Sequence, residues 1–117
     1  MAKKSRRTER VRAPESEYTG ADGTRLALRG ALTPATRRQY ADAMAGNLLS
    51  REDAWQRGVE FLFERLVVRW EIAGADPLTR QKDLLARYRF ASPEERRWIR
   101  DVLREHLAEH FPDVEAP

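Results

Sequence analysis

Residues 50–74, SREDAWQRGVEFLFERLVVRWEIAG, decide how this chain is read. Ser50 is a strong N-cap, because its hydroxyl can accept from an unpaired amide of a first helical turn. Glu52 and Asp53 follow where the positive end of the helix dipole favours carboxylates. Gly58 weakens the run, but nothing breaks it before Gly74. The stretch predicts one long helix from Ser50 to Ala73. At about 100° per residue, Trp55, Val59, Leu62, Phe63, Leu66, Trp70 and Ala73 share one face as a core stripe. Ala54, Phe61, Val68 and Ile72 form a second apolar group. Arg65 and Arg69 bound it on one side, and Arg57, Glu60, Glu64 and Glu71 on the other. A helix with two apolar faces must cover both. Either it is central, with a neighbour on each side, or the second group is a seam for another protein or for a homodimer. The 54, 61, 68 spacing is the seven-residue repeat of a helix–helix seam, although it lasts only two heptads.

The flanking sequence is punctuated as helix too. Thr33-Pro34 reads as an N-cap followed by proline at the first helical position, where the missing N–H costs nothing. That helix runs to about Ala45, with Gly46 able to take the left-handed C-cap conformation. Asp76-Pro77 opens another helix, reaching about Phe90. Ser92-Pro93-Glu94-Glu95 is a complete capping box, and the helix behind it runs to about His110, with Pro112 beyond. Short connections favour antiparallel neighbours. The expected fold is therefore all-α, a compact bundle of four helices over residues 31–117. Its expected core is Leu32, Tyr40, Met44, Trp55, Val59, Leu62, Phe63, Leu66, Trp70, Leu78, Leu85, Tyr88, Trp98, Ile99, Val102 and Leu103.

Residues 1–30 read as a basic, largely disordered arm. Positions 1–23 lack hydrophobic periodicity and contain Pro14, Gly20 and Gly23, so they offer little apolar surface to offset ordering entropy. Residues 24–29, TRLALR, alternate weakly and end at Gly30. One strand without a partner is not a sheet, so this segment reads as an extended lead-in that docks Leu26 and Leu28 on the helices.

The chain of 117 residues suits a single domain, and its 35% charged content marks it as soluble. No stretch approaches the roughly 18 apolar residues a membrane span needs. Cysteine is absent, which excludes disulfides, thiol catalysis and Cys-ligated metals. The net charge of +3 is uneven: residues 1–30 carry +4, 79–104 carry +4, and 105–117 carry −4. Ser5-Arg6-Arg7 resembles the opening of a twin-arginine signal, but no apolar stretch follows it, so a cytoplasmic location is expected.

Three function classes compete. His106 and His110 stand at i, i+4, a spacing that can place two imidazoles on one metal and so centre a metal-dependent enzyme. The glutamate that a metalloprotease needs directly after the first histidine is absent, and further ligands would have to be carboxylates such as Asp113. His106 also lies within the apolar stripe of Trp98, Ile99, Val102 and Leu103, as a structural histidine would. Ser50, Ser92 and Thr33 are already used as caps, and no nucleophile elbow or phosphate-binding glycine loop occurs, so no catalytic activity and no cofactor are expected. A nucleic-acid reading rests on Lys3, Lys4, Arg6 and Arg7 in the arm and on the row Arg96, Arg100 and Arg104, which can track phosphates. No helix-turn-helix pattern supports it: with Gly46 as the turn glycine, Asp42 and Glu52 occupy positions that must be small and apolar. The leading expectation is a small interaction or regulatory protein acting through helix faces, Ala54, Phe61, Val68 and Ile72 being the candidate contacts. A nucleic-acid-binding regulator is the alternative, and a membrane-surface role is not expected.

Overall fold

The helix that starts after Ser50 stops at Leu66, and the chain continues as a β-strand. The structure, a computed structural model, describes residues 14–45 and 50–117. In chain order the elements are β1 (Glu15–Thr19), β2 (Arg25–Arg29), α1 (Pro34–Ala45), α2 (Arg51–Leu66), β3 (Val67–Glu71), α3 (Gln81–Arg89) and α4 (Pro93–His110). The three strands form one antiparallel sheet in the order β1-β2-β3. The fold is therefore mixed helix and sheet, and the all-α bundle expected above is corrected. So is the flexible arm, over residues 14–30, because this segment holds the first hairpin. The remainder of the arm, with Lys3, Lys4, Arg6 and Arg7, lies outside the described residues, as does the Gly46 C-cap.

Pairing across the sheet explains the switch at Leu66. The Val67 amide still bonds the Phe63 carbonyl, but its ψ of 126° is already extended. Val67 then pairs with Leu28, and Trp70 with Leu26. Leu26, Leu28 and Trp70 are all at most 1% exposed. Valine and tryptophan fit a pleated, half-buried surface, so a strand partner overrides a helical pattern that is only marginally preferred. The β1–β2 turn needs glycine at one position: Gly23 has φ +87°, while the Thr24 amide donates to Asp22 Oδ1 at 3.0 Å.

On the other side of the sheet, Ala27 stands in register between Glu17 and Arg69. Arg69 pairs with Glu17 at 2.7 Å and Glu71 at 3.4 Å, and Arg25 with Glu71 at 3.2 Å and Glu17 at 3.8 Å. Ala27 is only 3% exposed, so the long stems of this network shield it from water.

α1 begins at Pro34, with Thr33 Oγ1 accepting from the Thr36 amide, as the sequence predicts. It crosses α2 at Gly58, where a Cβ would stand 2.5 Å from Met44 Sδ and 3.3 Å from Tyr40 Cε1. Gly58 thus leaves room for two side chains of α1 and is not merely a weak spot in a helix. α3 starts at Gln81, later than Asp76-Pro77 predicts, because Trp70 and Leu78 exchange two backbone hydrogen bonds of 2.9 Å and hold the intervening chain alongside β3. α4 has the expected capping box, with Ser92 Oγ accepting from the Glu95 amide at 3.1 Å and Glu95 Oε1 from the Ser92 amide at 2.8 Å.

The core is one cluster that joins Leu26 and Leu28 of β2 to Leu62, Phe63, Leu66, Trp70, Tyr88, Ile99, Leu103 and Leu107. Leu32, Met44, Leu78, Leu85 and Trp98 are partly buried at its margin, and Leu84 takes the central place expected of Leu85. Trp55 is only half-buried. Among the described residues no helix is long and apolar enough to cross a membrane.

Candidate functional site

The four residues of the expected apolar seam are not brought together on one helix. Ala54 is buried in α2, and Phe61 lies 6.2 Å from the Tyr40 ring with the Arg65 guanidinium 5.1 Å above it. Val68 and Ile72 lie in and just after β3, not on a helix. The heptad 54, 61, 68 ends with α2 at Leu66, so the helical seam is corrected.

The arginine row does share one helix and builds a site. Arg96 lies 5.0 Å above the Tyr88 ring and donates to the Arg89 carbonyl at 3.2 Å. Arg100 lies 4.6 Å above the Trp55 ring, with its Nε donating to the Pro117 carbonyl at 3.1 Å. Arg104, one turn on, is exposed. The capping box sets where α4 begins, and an Arg87–Glu95 contact of 2.6 Å clamps α3 to it. Burial raises the Glu95 carboxyl, but the Ser92 amide and Arg87 outweigh it and hold Glu95 below its ordinary value. Together these contacts place Tyr88 beside Arg96 and leave a groove of about 420 Å³ between α2 and α4. Its apolar lining is Trp55, Val59, Tyr88, Ala91 and Pro93, and its charged rim is Arg96, Arg97, Arg100 and Glu52. Phe90, between the lining residues Tyr88 and Ala91, is 86% exposed, the one large hydrophobic side chain so exposed among the described residues. A single exposed phenylalanine is ordinary.

A guanidinium over a ring loses water on that side; Arg96 also gives one N–H to the Arg89 carbonyl and Arg100 its Nε–H to Pro117, so an oxygen anion would meet the remaining N–H groups. Tryptophan, tyrosine and arginine are also the residue types that dominate binding energy at protein interfaces. The sequence reading assigned Trp55 and Tyr88 to the core, which holds for Tyr88, and missed this pairing. Only the helix-to-helix arrangement shows that each ring faces an α4 arginine.

A wider groove of about 630 Å³ lies between α1 and the start of α2, lined in part by Arg37, Tyr40, Met44, Arg51 and Asp113. Its charge is internally offset, with Arg37 paired to Asp113 at 3.1 Å, and Ala45 and Arg51 flank the undescribed residues 46–49.

The two histidines meet the hairpin. His106 is fully buried, its Nε2 donates to the Arg29 carbonyl at 2.9 Å, and its Nδ1 accepts from the Tyr18 hydroxyl at 2.8 Å. The Arg29 carbonyl can only accept, so Nε2 carries a proton, and burial favours the neutral ring, whose Nδ1 is then the acceptor for Tyr18. Burial pushes its pKa down; the Arg29 carbonyl opposes this, and neighbouring His110 reinforces it. The His110 ring lies 4.5 Å away, and its Nε2 meets Ser16 Oγ at 3.0 Å. The lone pair a metal would need on His106 is engaged by Tyr18, and no group of three or more potential ligands gathers among the described residues. Serine beside imidazole begins a nucleophile–base pair, but Glu109 approaches the same nitrogen as Ser16, at 3.9 Å, and not the far one that an orienting group would hold. Ser16 and Tyr18, the histidines' partners, carry no sequence signal, because they were read as part of an unstructured arm.

Comparison of the chain with protein-family models, curated proteins and solved structures finds no match.

Proposed function

We propose that this is a cytoplasmic, non-catalytic interaction protein that docks an acidic segment of a partner protein in the groove between α2 and α4. The observation that carries this reading is the placement of the Arg96 and Arg100 guanidinium groups over the Tyr88 and Trp55 rings, with Arg97 on the same rim. The floor of Val59, Ala91 and Pro93 suits an apolar anchor on the partner, and the guanidinium edges suit its carboxylates. A protein partner fits better than single-stranded nucleic acid. Bases need open ring faces to stack on, and each of these rings already carries a guanidinium on one face.

Affinity capture from the native cell with the full chain, with and without nuclease, tests the proposal. A defined protein should be retained despite nuclease, and it should be lost from the folded Arg96→Glu/Arg100→Glu variant. Retention by that variant, or capture that nuclease abolishes, would overturn it; the second outcome would favour a nucleic-acid-binding regulator.

A further inference from the structure

Away from the groove, the hairpin is fastened to α4 by two histidine contacts, and one of them joins groups that depend on a single protonation state. Tyr18 donates to His106 Nδ1, and His106 Nε2 donates to the Arg29 carbonyl, so one imidazole bridges both strands of the hairpin to the helix. The second contact, Ser16 to His110, lies one strand alternation along β1.

We propose that His106 is a proton-operated latch that holds β1 against α4 and loosens that strand as the medium turns acidic. A second proton on His106 would sit on Nδ1, against a Tyr18 hydroxyl that now donates there. The phenol would have to turn and find another acceptor. The new charge would also lie in a fully buried site beside a second imidazole 4.5 Å away. The groups that bear on it from each side are Tyr18 and Ser16 from β1, the Arg29 carbonyl from β2, and Glu105, Glu109 and His110 from α4 itself. From α1, Arg37 reaches as far as Phe111, whose ring is 5.9 Å from that of His106. Glu109 favours the charged ring, but burial is the largest influence and opposes it, as does His110.

The sign follows from that balance. The folded-state pKa lies below the ordinary value of 6.5, so docking is fully supported above 6.5 and weakens as pH falls toward the folded value. An opening that frees His106 takes up a proton the closed state refuses. Its equilibrium constant should rise between pH 7.5 and 5.5, by at most about tenfold.

Residue-resolved hydrogen exchange on the full chain, corrected for intrinsic rates, tests this. Amides paired between β1 and β2 should exchange through an opening smaller than global unfolding, seen as faster exchange than α4 core amides. That opening should grow from pH 7.5 to 5.5, by at most about tenfold. His106→Gln supplies an N–H for the Arg29 carbonyl and an acceptor for Tyr18 but does not titrate, and it should abolish the pH effect. Histidine ring resonances of the unmodified protein give a second readout, with His106 titrating below 6.5 if it titrates at all before opening. Hairpin amides that exchange only with α4, an opening independent of pH, a pH effect retained in His106→Gln, or a His106 midpoint at or above 6.5 would each overturn the latch.

Discussion

Gly58 illustrates how one position can carry opposite meanings in sequence and in structure. As a residue inside a helix it costs about 1 kcal/mol relative to alanine. In the fold it lets α1 and α2 close on each other, with Met44 Sδ where a Cβ would need space. Gly58→Ala should therefore lower stability by about 1 kcal/mol, because overpacking outweighs the gain in helix propensity. In a Met44→Ala background the same change should be neutral or stabilising. Denaturant unfolding of the four combinations reads the sign directly. His106 makes the same point chemically. Its place on an apolar stripe was legible, and its reading as a structural histidine agrees with its burial, but its partners were not, since Tyr18 and Arg29 lie 88 and 77 residues away in the chain.

At the scale of elements, ends marked by capping chemistry were legible and the strands were not. The Ser92 capping box and the Thr33-Pro34 start are local arrangements, and both stand where the sequence puts them. Ser92→Ala should remove a bond seen at 3.1 Å and cost about 0.5–2 kcal/mol, measurable by thermal melting. β3 was illegible for a definite reason. Leu62, Leu66 and Trp70 continue a helical spacing, while Val68, Trp70 and Ile72 alternate with Arg69 and Glu71 as a strand would, so both periods fit the same residues. What decides between them is β2, far away in sequence. β2 in turn needs β1, whose sequence Glu-Ser-Glu-Tyr-Thr has only Tyr18 to contribute to the apolar cluster. The groove depends on elements too: Arg96 and Arg100 share one helix as their spacing indicates, but the groove adds Arg97 and leaves out Arg104, and its rings come from α2 and α3.

For the molecule as a whole, the hairpin is part of the core and not an appendage to it. Leu26 and Leu28 are completely buried against the same cluster as Leu62 and Leu103. Deleting residues 1–30 should therefore abolish the cooperative thermal transition, not leave a stable helical body. Removing two buried leucines alone costs several kcal/mol, against the roughly 5–15 kcal/mol that holds an ordinary domain together. The docking groove shares Val59 and Tyr88 with the core, so Arg96→Glu with Arg100→Glu is read for binding once the cross-strand contacts of the sheet show the variant folded. The measurement that tests the central architectural claim most directly is the nuclear magnetic resonance assignment of residues 62–74 with cross-strand contacts. The account predicts helical chemical shifts through Leu66, strand shifts over 67–71, and backbone contacts between Leu26 and Trp70. Helical shifts running unbroken from Arg51 to Ala73, with no contact between Leu26 and Trp70, would contradict it.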